Sequence, residues 1–208
     1  MSLPLILYVH GFNSSPASIK AQLLGDYLRQ QPDLADYQVP ALSHWPAEAI
    51  ADLETLIQAH PHRPILLVGS SLGGFYSLWL CEKYPQCRAV LVNPAIYPYR
   101  LLADWLGETE NLYTHEQYVL TREHLAQLEA LAVEAISAPE RYLLLTQTGD
   151  ETLDYREAVE FLPHSAHFIQ TGGSHGFDQF EKLIPAIIAF ASGEVQLPPA
   201  TPLPFSIE

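Results

Sequence analysis

Apolar positions along the chain follow two different spacings. Short unbroken runs occupy residues 5–9, 64–68, 89–92, 142–146 and 166–169, with a weaker one at 37–39. An unbroken run bounded by Gly, Pro, Asn or His is what a strand buried on both faces requires. Between the runs, apolar residues recur at helical spacing: Ile19, Leu23, Leu24, Tyr27 and Leu28, then Ile50, Leu53, Leu56 and Ile57. Ser15 suits an N-cap with Pro16 at the first helical position, and Pro46 opens the second helix. A third helix starts at Leu72 and carries Phe75, Leu78, Trp79 and Leu80 to about Tyr84. A short helix follows Asp154. The last is expected over about 177–190, with Phe180, Leu183, Ile184 and Ile187 facing inward.

Residues 95–139 show no strand pattern. Thr114 and Gln117 have capping-box spacing, and Leu125, Leu128, Leu131, Ala132 and Ile136 mark a helix after Thr121. The stretch reads as a small helical lid inserted over the sheet end. Its aromatic residues Tyr97, Tyr99, Trp105, Tyr113 and Tyr118 serve either a substrate pocket or the lid's own packing. Residues 194–208 contain Pro198, Pro199, Pro202 and Pro204. They are expected to form no regular element and to lie extended on the surface or fray. The chain thus reads as one domain, 1–193, followed by a proline-rich tail. Alternating strands and helices imply an α/β fold, a mostly parallel six-stranded sheet with helices on both faces. Right-handed crossovers bring Gly11, Phe12, Ser71, Asn93, Asp150, Ser174 and His175 to one sheet edge, the edge where open α/β sheets bind ligands.

Composition narrows the function classes. A formal net charge of -14 repels phosphate backbones and argues against nucleic-acid binding. Cys81 and Cys87 are too few for a disulfide framework, and their spacing is a poor zinc signature. His60 and His62 have no carboxylates or cysteines in ligand spacing, so they are not expected to bind a metal. The first residues lack a basic stretch, and no run reaches membrane-spanning length. A reduced, cytoplasmic protein without a membrane partner is the expectation. Its oligomeric state stays open.

The candidate chemistry centres on Gly69-Ser70-Ser71-Leu72-Gly73, a G-x-S-x-G turn between a strand and a helix. Glycines two before and two after Ser71 remove side chains that would clash in so sharp a turn. Choosing Ser70 instead would put Val68 and Leu72 at the glycine positions. A serine hydroxyl needs a base, and the base needs an acid that fixes its tautomer. His175 lies in the flexible glycine loop before the last helix, and Asp150 lies just past the fifth strand. The order Ser71, Asp150, His175 is that of α/β-hydrolases. Among rival carboxylates, Glu151 points away if Asp150 faces the histidine, and Asp154 suits a helix N-cap. The oxyanion donors would be the N–H groups of Leu72, after the nucleophile, and Phe12, where Gly11 lets the chain turn. His10 reads as a structural hydrogen-bonding residue rather than a second base.

These motifs resemble one family. His10-Gly11-Phe12-Asn13-Ser14-Ser15-Pro16, Gly69 to Phe75, Asn93-Pro94-Ala95, Gly149-Asp150-Glu151 with Asp154-Tyr155, and Gly173-Ser174-His175 are similar to the small bacterial YqiA-type esterases of the α/β-hydrolase superfamily. The resemblance spans roughly residues 5–190. It implies hydrolysis of short-chain carboxylic esters, a small-molecule substrate, and neither metal nor cofactor. Two alternatives share these residues: a thioesterase or other acyl hydrolase on the same triad, and a non-catalytic binding protein of the same fold. Arg100 and Arg122 are the only cations between residues 95 and 139, which argues against recognition of coenzyme A phosphates.

Overall fold

Each apolar run becomes a strand; the four central ones are buried almost throughout, whereas the two at the sheet edges are partly exposed. The computed structural model describes residues 3–205. Residues 1–2 of the expected domain and 206–208 of the expected tail lie outside it. The described elements begin with β1 (Leu5–Val9), α1 (Ile19–Gln30), β2 (Asp36–Gln38), α2 (Pro46–Gln58), β3 (Ile65–Ser70), α3 (Leu72–Lys83) and β4 (Cys87–Val92). Next come α4 (Pro98–Leu101), β5 (Gly107–Glu110), β6 (Gln117–Leu120) and α5 (Arg122–Glu129). The last are β7 (Tyr142–Gln147), α6 (Tyr155–Phe161), β8 (Ala166–Gln170) and α7 (Ile184–Phe190).

Among the described residues, six strands form one sheet in the order β2-β1-β3-β4-β7-β8, and every pairing in it is parallel. Strand alternation divides the core into two layers. Leu5, Leu7 and Val9 pack with α2, α3 and the inserted region; Ile6 and Tyr8 pack with α1 and α7. Because both layers are apolar, the central strands read as nearly continuous apolar runs without a polar alternation to betray their period. Among the described residues, no helix is long and apolar enough to cross a membrane.

Several expectations change. The Ser15 hydroxyl accepts from Ala17 N (3.0 Å) in a turn ahead of the helix, and α1 starts only at Ile19 with Ser18 before it. Ile19 itself is 73% exposed, so the buried face runs through Ala21, Leu24, Gly25 and Leu28. The inserted region is not purely helical: β5 and β6 form an antiparallel hairpin. Thr114 lies in its turn and Gln117 opens β6, so neither caps a helix. The capping partner of Thr121 is His124, whose Nδ1 accepts from Thr121 N (3.1 Å). The final helix is also shorter than expected. Phe177 and Gln179 have positive φ, a 3₁₀ turn spans Phe180–Leu183, and α7 begins only at Ile184 with Pro185 in its first turn. Residues 194–204 join no helix or strand, and the segment docks, with Leu203 N donating to Thr171 O (2.8 Å).

Candidate active site

Ser71 is the single residue between β3 and α3. Its backbone sits at φ 55°, ψ -119°, a conformation that strains any residue with a Cβ. The surroundings hold it there. Ser71 N donates to Val92 O (3.1 Å), and Ser71 O accepts from Gly74 N (2.9 Å) and Ala95 N (3.0 Å). The flanking glycines permit a close approach of backbones. A Cβ on Gly73 would stand 1.8 Å from Val9 O, and one on Gly69 would stand 2.3 Å from Gly73 O. The Ser71 side chain does not cap α3, so its hydroxyl is turned to another partner.

That partner is His175, whose Nε2 lies 3.1 Å from Ser71 Oγ. On the other side of the ring, Nδ1 lies 2.8 Å from Asp150 Oδ2. The Asp150 side chain is 2% exposed and the His175 side chain 25%. Asp150 Oδ1 accepts from Thr152 N and Leu153 N, both at 2.8 Å, which fixes the carboxylate's orientation. A carboxylate facing Nδ1 selects the tautomer with its proton there. Nε2 is then free to accept from the serine hydroxyl.

The loop bearing His175 is tied from several elements. Glu151 Oε2 accepts from His175 N (2.9 Å), so Glu151 does not point away from the histidine; it meets its backbone instead of its ring. Asn93 Nδ2 donates to the carbonyls of Ser174 (2.9 Å) and His175 (3.1 Å). Its Oδ1 accepts from Gln147 N (3.0 Å) and Thr146 Oγ1 (3.2 Å). Lys20 Nζ donates to Gly176 O (2.9 Å). Burial pulls the Lys20 ammonium below the usual lysine range, partly offset by the Asp150 charge. Of these supports, sequence reasoning placed Asn93 at the right edge, through the Asn93-Pro94 strand stop. It gave no sign of Lys20, because a lone lysine on α1 looks like any surface cation.

Asp154 caps α6 by accepting from Arg156 N (3.0 Å), and the Arg156 guanidinium holds its carboxyl below the ordinary aspartate range. His10 is buried. Leu42 N donates to its Nε2 (3.2 Å), which leaves Nδ1 to donate to Gly11 O (3.1 Å), a loop-fastening role as expected. Beside the serine opens a cavity of about 340 Å³. Ser71, His175, Phe12 and Leu72 all line it, and Pro98, Leu101, Leu102, Trp105 and Leu112 make it mostly apolar. Of the five aromatic residues singled out in the inserted region, only Trp105 lines this cavity. Tyr118 instead stacks on His44 (4.1 Å) and donates to Asn13 Oδ1 (2.6 Å). Tyr97 and Tyr99 meet edge to face, and Tyr113 is exposed.

Residues 5–192 match the uncharacterised protein family UPF0227. Among solved structures, the chain is similar to a protein from Agrobacterium vitis S4, with TM-score 0.70 and 19% identity over 89% of this chain and 88% of that one. It is similar to mouse alpha/beta hydrolase domain-containing protein 10, with TM-score 0.66 and 16% identity over 92% and 89%. It is similar too to a monoacylglycerol lipase of Paleococcus ferrophilus, with TM-score 0.64 and 17% identity over 93% and 97%. Likeness at such low identity is likeness of fold.

Proposed function

The chain belongs to the uncharacterised protein family UPF0227, the YqiA-type family its motifs resemble, and has the α/β-hydrolase fold; on that premise we propose that it is a serine hydrolase of short-chain carboxylic esters. The observation that carries this reading is the continuous line from Asp150 Oδ2 through the His175 ring to Ser71 Oγ, bordering an apolar cavity. Ser71 Oγ attacks the ester carbonyl carbon while His175 Nε2 takes its proton. The tetrahedral oxyanion is met by the N–H groups of Phe12 and Leu72; one such donor is typically worth about 10²–10³ in kcat. The imidazolium, stabilised by Asp150, returns its proton to the leaving alcohol. Water then enters, loses a proton to His175, and releases the acid from the acyl-enzyme, regenerating Ser71. No metal or cofactor takes part in this scheme. The buried free thiols Cys81 and Cys87 fit a reducing compartment such as the cytoplasm.

The cavity volume, at the low end for small-molecule sites, supports a small acyl group. A series of p-nitrophenyl esters, with acyl-thioesters and peptide amides alongside, tests the reading. The expected result is the highest kcat/KM for acyl chains of about two to six carbons, because a longer tail would stay partly in water. A steady rise to about sixteen carbons would contradict the short-chain assignment. A higher kcat/KM on thioesters than on matched esters would move the reading to a thioesterase on the same triad.

A further inference from the structure

Residues 201–205 lie against the chain that leads into His175. Besides the bond from Leu203 N to Thr171 O, Gly173 N donates to Pro204 O (2.9 Å), and Gly173 forms a parallel bridge with Phe205. The segment therefore runs along the outer edge of the sheet just beyond β8, covering backbone groups that an edge strand leaves open.

A second connection passes through two buried amides. Gln170 Nε2 donates to Thr201 O (2.9 Å), and Gln170 Oε1 accepts from Gln147 Nε2 (2.8 Å). Gln147 also donates to Asp178 O (2.8 Å), while its Oε1 accepts from Ser174 N (3.0 Å) and Asp178 N (2.9 Å). Gln147 is fully buried, and both of its donors and both acceptor sites are used. A buried amide satisfied on all sides specifies one position for what it binds, because any shift leaves a polar group unpaired.

The glycine pair between these supports is shaped by them. Gly172 and Gly173 have φ of 81° and 76°. A Cβ at Gly172 would stand 1.9 Å from Leu203 O, and one at Gly173 would stand 2.0 Å from Gln147 Oε1. The pair, expected from sequence to make a flexible loop, is instead wedged between the 201–205 segment on one side and Gln147 on the other.

We propose that Gln147 and the 201–205 segment act together as a positioning clamp on residues 171–174, holding His175 within reach of Ser71 Oγ. Neither touches the reacting atoms. The proposal rests on the serine-hydrolase reading. It concerns what keeps the triad assembled: release of the clamp lets the loop drift, and a misplacement of about 1 Å can lower kcat about a hundredfold.

The test uses full-length variants and p-nitrophenyl butyrate, with kcat expressed per Ser71 titratable by a fluorophosphonate. Leu203→Pro, between two existing prolines, removes the N–H that reaches Thr171 O and sets a ring carbon against that oxygen, whereas Leu203→Ala also loses the leucine side chain but keeps the N–H. Gln147→Met keeps the side-chain length but leaves Ser174 N and Asp178 N without their acceptor. Leu203→Pro is expected to lower kcat about three- to tenfold and Gln147→Met about a hundredfold, both with KM within about twofold. Leu203→Ala should match the parent chain. A purely structural role would lower the melting temperature or the titratable fraction and leave kcat per titrated serine unchanged, and that result would overturn the proposal. If Gln147→Met fails to fold, the Leu203 pair decides by the same criterion. A parent chain that neither labels nor hydrolyses would overturn the hydrolase reading, and the clamp's purpose with it. An active parent with unchanged variants would overturn the clamp alone.

Discussion

Asp150 and Asp154 show how two carboxylates four residues apart come to different tasks. Asp150 has one oxygen held by Thr152 N and Leu153 N and the other directed at His175 Nδ1. Asp154 spends both oxygens on Arg156 and the start of α6. An Asn at position 150 can present its NH₂ to the ring and select the wrong tautomer, which in the serine-protease case lowers kcat about 10⁴-fold. Asp150→Asn is therefore expected to lose several orders of magnitude in kcat. Asp154→Asn should keep activity near that of the parent, because Asn also caps and the Arg156 pair is exposed. Steady-state kinetics of the two variants decide the matter; collapse in Asp154→Asn with survival in Asp150→Asn would exchange the roles. The same scale explains why the position of Asp150 beside the His175 ring was legible and that of its neighbour Glu151 was not. Gly149-Asp150 after a strand is a recognisable turn, whereas the bond from His175 N to Glu151 depends on where two loops meet.

The inserted elements set the cavity's outer wall. Trp105 closes one side from the 3₁₀ turn Leu102–Trp105, and Leu112 approaches from the β5–β6 turn, whose backbone N–H donates to Asn13 O (3.1 Å). Trp105→Ala should open room for a longer acyl chain, raising kcat/KM for octanoate relative to butyrate esters about three- to tenfold. An unchanged ratio would mean that the acyl group binds elsewhere. Strands β1, β3, β4 and β7 were legible because burial on both faces writes them as nearly continuous apolar runs, and the partly exposed edge strand β8 because Ala166, Phe168 and Ile169 still make a short one. The hairpin was not, because each strand has four residues, Glu108 and Glu110 face solvent, and Thr114 with Gln117 happens to mimic a capping box. The α1 start was misplaced because Ser15-Pro16 imitates a cap while serving a preceding turn. The final helix was overextended because periodicity in Phe180, Leu183, Ile184 and Ile187 says nothing of the positive φ at Phe177 and Gln179. The docking of residues 201–205 had no sequence signal either, since it uses backbone groups and a proline-rich chain that carries no period.

Across the whole molecule, two buried histidines couple stability to pH. His124 joins the inserted region to the start of α2: its Nδ1 accepts from Thr121 N, so its Nε2–H faces His44 Nδ1 (3.0 Å), and its ring stacks on Trp45 (3.7 Å). Burial holds His124 below the usual histidine range, with the His44 charge adding to this, and burial does the same to His10. A lowered folded-state value means that the unfolded chain takes up protons first as pH falls. The contribution of these groups is therefore intact above about pH 6.5 and is lost as pH falls from there through their depressed values. Relief of repulsion in a chain of formal net charge -14 acts the other way, so the useful quantity is a difference. Between pH 7.5 and about 5.5, the melting temperature of the parent should fall more steeply than that of His124→Asn. Equal slopes would remove His124 from the account. The central claim, that one strained serine is the nucleophile of an assembled triad, is tested most directly by fluorophosphonate labelling of the intact chain with the adduct located by peptide mass spectrometry. The expected result is a single adduct on Ser71, absent in Ser71→Ala and slowed by orders of magnitude in His175→Ala. Absence of an adduct, or an adduct on another residue that persists in Ser71→Ala, would contradict it.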